Sequence, residues 1–417
     1  MSGLAQTTVR RRRVFYIPGY DPFPPRRYRE LYRKEGTDQA QISGYALALS
    51  AQAPGADSYG WQVRTDIEGH ETEAHMTVLV WADIVQASMQ RGVLGAYWLM
   101  LRSLWIFGST GALWAMIRLR PGPMLAGAWP VSILTGQLIV ALLIGWAAGY
   151  GVQALWGLST GLGLGWIPGW VAGAGVVYAI LRGFQRYDAK LYAYYLLYDF
   201  SHTAAYYGDY GTALTARLSE FAAQIRAALD SDVDEVLVVG HSSGAALAVS
   251  VVAEVLAQDL PVTAPPLALL TLGEAIPMQS FLPRARRLRG DLRQLSQSEA
   301  LAWVDITAKG DGCCFGLCDP VAVTGVATPD QRWPLVLSAA FSLSLKPETW
   351  ARNRRRFFKL HFQYLAAFDA PRDYDYFQIT AGPQTLAERY GGRAQSPSRI
   401  TRVLSPHRSL PQAGARE

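Results

Sequence analysis

The sequence predicts a mostly parallel α/β sheet flanked by helices and interrupted by a two-helix transmembrane insertion. Two observations carry that expectation. Short β-branched apolar runs alternate with helix-period segments on both sides of the chain's middle, which is the pattern of a layered α/β fold. Between them, from Pro121 to Leu181, there is no Asp, Glu, Lys or Arg. The 417 residues are 50% hydrophobic and only 17% charged, which excludes a disordered chain and is too apolar for an ordinary soluble enzyme. The 39 basic and 33 acidic side chains leave +6, and no pattern for binding nucleic acid accompanies them.

Taken in order, Arg13-Val14-Phe15-Tyr16-Ile17 reads as a buried strand ending at Pro18-Gly19-Tyr20-Asp21. The preceding Arg10 to Arg13 resembles the start of a signal peptide, but the apolar run behind it is too short for one. Pro22, Pro24 and Pro25 open a helix containing Tyr28, Leu31 and Tyr32. Strands are expected at Tyr45 to Ser50, Trp61 to Thr65 and Thr77 to Trp81.

A helix needs about 20 apolar residues to cross the hydrocarbon core, so the uncharged window holds two crossings. The first is expected over Trp129 to Trp146 and the second over Leu164 to Arg182, joined by a Gly-rich link. Trp129, Trp146, Trp166 and Trp170 fall near the proposed ends, where indoles favour the interface. Arg118 and Arg120 before the pair, and Arg182, Arg186 and Lys190 after it, place both outer ends in the cytoplasm, as at a bacterial-type inner membrane. The apolar stretch from Gly95 to Ile117 contains Arg102. Segments of one fold on the same side need an even number of crossings, so this stretch is expected to lie in the interface.

After the spans, Leu214, Leu218, Phe221, Ile225 and Leu229 mark an amphipathic helix. A strand follows at Asp234 to Gly240, then a small-residue helix from Ala245 to Leu256, then strands at Leu267 to Leu272 and Trp303 to Ala308. The expected organisation is therefore an N-terminal part of the sheet domain (1–93), a membrane region (94–186), a C-terminal part (187–394) and a flexible Ser-, Pro- and Arg-rich tail (395–417).

Gly240-His241-Ser242-Ser243-Gly244 matches G-x-S-x-G, with a β-branched strand before it and a small-residue helix after it. That context is the one a nucleophile elbow needs: glycines allow the tight turn and the close approach of helix to strand. With these residues the chain resembles the α/β-hydrolase superfamily, particularly its lipase- and esterase-like members, across most of the non-membrane sequence. The resemblance implies a catalytic serine at Ser242 followed by an acid and then a histidine. Only His361 and His407 follow Ser242, and His407 lies in the polar tail, so His361 is the expected base. For the acid, Asp311 follows the strand ending at Ala308; Asp319, in an Asp-Pro-Val that resembles the one in some lipases, is the alternative, and Asp305 sits less aptly in mid-strand. The oxyanion hole implied by the resemblance takes the Ser243 amide and one from Gly19 or Tyr20, although no His precedes Gly19 as the common pattern would have it.

The implied activity is cleavage of an ester or thioester through an acyl-enzyme, on a small-molecule acyl or lipid-like substrate at the bilayer, without a cofactor. A catalytically silent scaffold or sensor is the rival expectation. A transport role has no intramembrane ionisable residue to line a path. Cys313, Cys314 and Cys318 lack spaced partners for a zinc site and read as packing residues. The arginine runs Arg26-Arg27-Arg29 and Arg354 to Arg356 read as solvated faces.

Overall fold

The computed structural model describes residues 8–52, 58–160, 165–261 and 263–412. Eight strands form one sheet: β1 (Arg11–Ile17), β2 (Ala46–Ala51), β3 (Gly60–Ile67), β4 (His70–Val78), β5 (Glu235–His241), β6 (Leu267–Leu272), β7 (Leu301–Thr307) and β8 (Leu335–Ser338). Their order is β2-β3-β4-β1-β5-β6-β7-β8, antiparallel only where β3 meets its two neighbours.

The period-2 alternation sorts side chains onto two faces. Phe15, Ile17, Val236, Val238, Leu269 and Trp303 point into one core, against helices Gly211–Leu229 and Gly244–Leu256. Val14, Tyr16, Leu237, Val239, Leu270 and Val304 point into the other, where Tyr28 and Tyr32 of helix Arg26–Ser43 pack. The central strands are covered on both sides, which is why their sequences are nearly continuous apolar runs.

The connectivity also selects a place for a site. From β1 the chain moves towards β2, β3 and β4, and from β5 it moves the opposite way to β6, β7 and β8. The carboxyl ends of β1 and β5 therefore flank a topological switch point, where open α/β sheets bind ligands.

Between β4 and β5 lie two helices long and apolar enough to cross a membrane by length and composition, Pro121–Ser159 and Trp166–Arg186. The first is a helix from Pro121 to Thr160, longer than the expected Trp129 to Trp146, and it takes up most of the Gly-rich link. The expected start of the second, Leu164, lies outside the described residues. The two pack through glycines: a Cβ on Gly145 would come 2.7 Å from the Gly173 carbonyl oxygen, and one on Gly149 equally close to that of Gly169. Each helix thus presents a G-x-x-x-G step to the other, which lets the backbones touch. Outward, Trp146, Trp170 and Val171 are largely exposed.

Other expectations need correction. The stretch from Gly95 to Ile117 is two helices, Val93–Ser109 and Ala112–Leu119, broken at Gly111 with φ 77°. Arg102 donates to the Ala205 carbonyl at 2.7 Å, so the charge is used inside the protein, while Leu94, Trp98 and Trp105 stay exposed. The strand expected at Thr77 to Trp81 is the end of β4: pairing with β3 spans His70 to Thr77, and Trp81 then turns inward to donate to the Pro18 carbonyl at 2.9 Å. Alternating polar residues at the start of β4 hid it. The tail from Gln395 is not loose over its described part. Ser396 donates to Val336 O, Ile400 bridges to Cys318, Leu404 donates to Val323 O, and Arg289 binds the Ser409 carbonyl.

Candidate active site

The turn after β5 places Ser242 at φ 60°, a left-handed conformation that costs a non-glycine residue free energy and persists only where the surroundings hold it. The surroundings do so through the backbone, with Ser242 N donating to Leu272 O at 2.9 Å and Ala245 N to Ser242 O at 3.1 Å. The motif's glycines are sterically required. A Cβ on Gly244 would lie 2.4 Å from the carbonyl oxygens of Ile17 and Pro18, and one on Gly240 2.7 Å from Ala248 Cβ. Gly19, two residues past the paired Ile17↔Gly240 register, comes so near that its Cβ would sit 2.9 Å from Ser242 Cβ.

Asp311 and His361 arrive from further along the chain. The loop after β7 buries Asp311, and helix Phe357–His361 ends on the histidine. His361 Nδ1 lies 2.8 Å from Asp311 Oδ2, and the same oxygen accepts from Tyr364 Oη at 3.1 Å, while Oδ1 accepts from Cys313 N at 2.8 Å. Burial alone would raise the Asp311 carboxyl, but the neighbouring His361 and these hydrogen bonds outweigh it and hold the group below its ordinary value. Ser242 and His361 line one cleft of about 710 Å³, solvent at its mouth included. Tyr20, Tyr195, Asp199 and Phe358 line it too, together with Pro123 and Ala126 at the root of the first apolar helix.

Asp319 is committed elsewhere: it caps helix Pro320–Thr324 by accepting from Val321 N and Ala322 N at 3.0 Å, and from Gln331 Nε2 at 2.9 Å. The Tyr20 amide is also engaged, donating to Ser243 Oγ at 2.9 Å. Among the described residues the amides of Gly19 and Ser243 donate to no acceptor. His407 binds the Thr110 carbonyl at 3.1 Å and is not among the residues lining the cleft of Ser242.

Two neighbours, His241 and Tyr364, were not singled out from sequence, and a third, Cys313, was read differently. His241, inside the motif itself, is buried and donates from Nε2 to the His361 carbonyl at 2.9 Å, with the two rings 4.8 Å apart. Burial above all, then the His361 charge, lowers His241 to about 3, so it stays neutral and positions the helix end. Tyr364 steadies Asp311. Cys313 is not a packing residue like buried Cys314 and Cys318: it lines the cleft, and Asp311, Cys313 and His361 bring a carboxylate, a thiol and an imidazole within 4.8 Å of one another. That donor set could hold a zinc-like ion with water as a fourth ligand, but only by giving up the bond between Asp311 and His361.

Asp305 faces inward from mid-β7, accepting from Thr271 Oγ1 at 2.7 Å. Burial pushes its carboxyl up to about 8, and burial together with Asp305 raises nearby Glu274 well above its ordinary value. The folded chain therefore keeps the Asp305 proton over a range, from its ordinary 3.8 to about 8, where the unfolded chain loses it. Across that window unfolding releases a proton, so stability falls as pH rises. Asp305→Asn removes this dependence. Its thermal midpoint should exceed that of the unsubstituted protein by a margin that widens from about pH 4.5 to about pH 8; a margin constant with pH would refute the assignment.

No family model, curated protein or solved structure matches the chain.

Proposed function

We propose that the protein is a membrane-anchored serine hydrolase of the α/β-hydrolase type, with its hydrolase domain on the cytoplasmic face, cleaving an ester or thioester of a lipid-like or acyl substrate. The observation that carries this reading is the 2.8 Å contact of His361 with buried Asp311, in a cleft shared with a serine held at φ 60°. Strained, positive-φ serines cluster at functional sites because only a structure that uses them retains them.

In this reading His361 takes the proton of Ser242 as Oγ attacks the carbonyl carbon, and Asp311 fixes the imidazole with Nδ1 protonated so that Nε2 is free. The Ser243 and Gly19 amides receive the oxyanion, each worth about 3 kcal/mol of barrier. His361 then returns the proton to the leaving oxygen or sulfur. Water, activated by the same imidazole, attacks the acyl-enzyme and releases the acid. The apolar pair anchors the domain, and its root at Pro123 and Ala126 sets the cleft against the bilayer surface, which supports a substrate drawn from lipid.

Fluorophosphonate labelling of the detergent-solubilised protein tests the reading. A stoichiometric adduct mapped to Ser242, absent from Ser242→Ala, is expected. Equal labelling of both proteins, or none of either, would leave only the catalytically silent scaffold.

A further inference from the structure

Two carboxyl groups line the cleft, and they differ in what they do. Asp21 is spent: it accepts from Phe23 N at 2.9 Å, from Tyr28 Oη at 2.5 Å and from Arg27 at 3.4 Å. Asp199, on helix Ala193–Ala204 after the apolar pair, lines the cleft too, and among the described residues its carboxyl has none of the hydrogen-bond or ion-pair partners that Asp21 has. Burial pushes its carboxyl up to about 7, and the His361 charge offsets only part of that. Its side chain is only half-buried and lines the cleft, so the carboxyl is offered to the cleft while the fold makes no internal use of it.

The walls around this acid are aromatic. Tyr20 and Tyr195 have ring centroids 6.2 Å apart, and Tyr195 and Phe358 5.8 Å, so three rings in succession line the same cleft. Nearby, the chain already sets a cation on a ring of this cleft: Arg27 lies 5.0 Å from the Phe362 centroid, and Asp21 neutralises it. Asp199 is the carboxyl of this cleft that has no such counter-ion. A carboxylate with aromatic faces is the combination that receives an alkylated ammonium, through charge at one end and ring quadrupoles along the sides. A hydroxyl would gain nothing from the rings, and an anionic group would be repelled.

We propose that Asp199 and the Tyr20–Tyr195–Phe358 wall form a receptor for an ammonium group on the leaving alcohol of the substrate, so that the preferred substrates are acyl esters of an amino alcohol. The side of the ester follows from His361. That imidazole must hand its proton to the departing alcohol, and it lines the same cleft as Asp199. This assignment rests on the serine-hydrolase reading. In the step it describes, the acyl C–O bond breaks, the acyl carbon passes to Ser242 Oγ, and the amino alcohol leaves with the serine's proton.

The test compares kcat/KM for a choline ester with that for the 3,3-dimethylbutyl ester of the same acid, its neutral isostere, in the full chain in detergent. A preference of about tenfold or more for choline is expected, falling towards unity in Asp199→Asn. Calorimetric titration of the unsubstituted protein with choline and with 3,3-dimethylbutanol needs neither turnover nor a variant, and choline alone should bind. Equal kcat/KM for the two esters, or a preference that survives Asp199→Asn, would overturn the receptor. If neither ester is cleaved and Ser242 is unlabelled, the hydrolase reading falls. Choline-selective binding would then still uphold the ammonium site, and its absence would end both.

Discussion

Asp311→Asn should lower kcat/KM by about 10⁴-fold while leaving the thermal midpoint within a few degrees. The size follows from how many acceptors an amide offers. Asp311 accepts from Cys313 N on one oxygen, and from His361 Nδ1 and Tyr364 Oη on the other. Asparagine has one acceptor oxygen. If that oxygen serves the Cys313 amide, an NH₂ group faces His361, whose Nδ1 must then accept. The proton moves to Nε2, the atom that removes the serine's proton in the proposed mechanism, and that base is lost although the ring barely moves. If the oxygen turns to His361 instead, the half-buried Cys313 amide meets two hydrogens. Steady-state kinetics on a single activated ester suffice, with Asp319→Asn as the comparison. Asparagine caps a helix as well as aspartate does, so Asp319→Asn should cost little activity and only about 1 kcal/mol of stability, from the bond to Gln331 Nε2 that an amide NH₂ cannot accept. The reverse ranking, with Asp319→Asn inactive and Asp311→Asn within tenfold of the unsubstituted protein, would move the acid to Asp319.

This pair of variants also marks the boundary of what was legible in the sequence. The strands β1, β5, β6 and β7 could be read because they are buried on both faces and leave continuous apolar runs. The tight turn from β5 into the next helix could be read because its glycines, Gly240 and Gly244, are forced by contacts below 3 Å. The choice between Asp311 and Asp319 could not be made that way, because both follow turns after β7 and the deciding contact joins residues 50 apart. His241 and Tyr364 were hidden for the same reason: each acts through a partner that is distant in sequence. Polarity misled in the tail, where Gln395 to Ser409 look loose yet supply backbone bonds to β8 and to the loop after β7. The glycine steps of the apolar pair were present as a composition but carried no register until Gly145 faced Gly173 and Gly149 faced Gly169.

Arg12 is the residue whose role ran most against its sequence context, and Glu235→Gln is the variant that should expose it. Within a run of four arginines Arg12 looks like surface charge, yet its side chain is fully buried, with Nε 2.6 Å from Glu235 Oε2. Its remaining donors reach the carbonyls of Gly382 and Gln384, and Glu235 Oε1 accepts from Leu386 N at 2.7 Å. The pair therefore ties the first ends of β1 and β5 together and clamps the 382–386 segment across them. Arg12 and Glu235 are also register partners, and five residues on the same register sets Ile17 beside Gly240. A slip of one residue there would turn every side chain of β1 to the wrong face and carry Gly19 away from Ser242. Glu235→Gln keeps the volume but leaves a buried guanidinium without its counter-charge, a change that costs about 3–5 kcal/mol. For a domain of this size that corresponds to a fall of about 5–8 °C in the thermal midpoint. The double variant Arg12→Met, Glu235→Leu removes both charges, and it should recover most of the loss because desolvating the pair was itself expensive. Ester turnover separates register from stability: if the pair only adds stability, Glu235→Gln assayed well below its midpoint will keep full kcat. If the pair sets the strand register as well, kcat will fall in Glu235→Gln and return in the double variant.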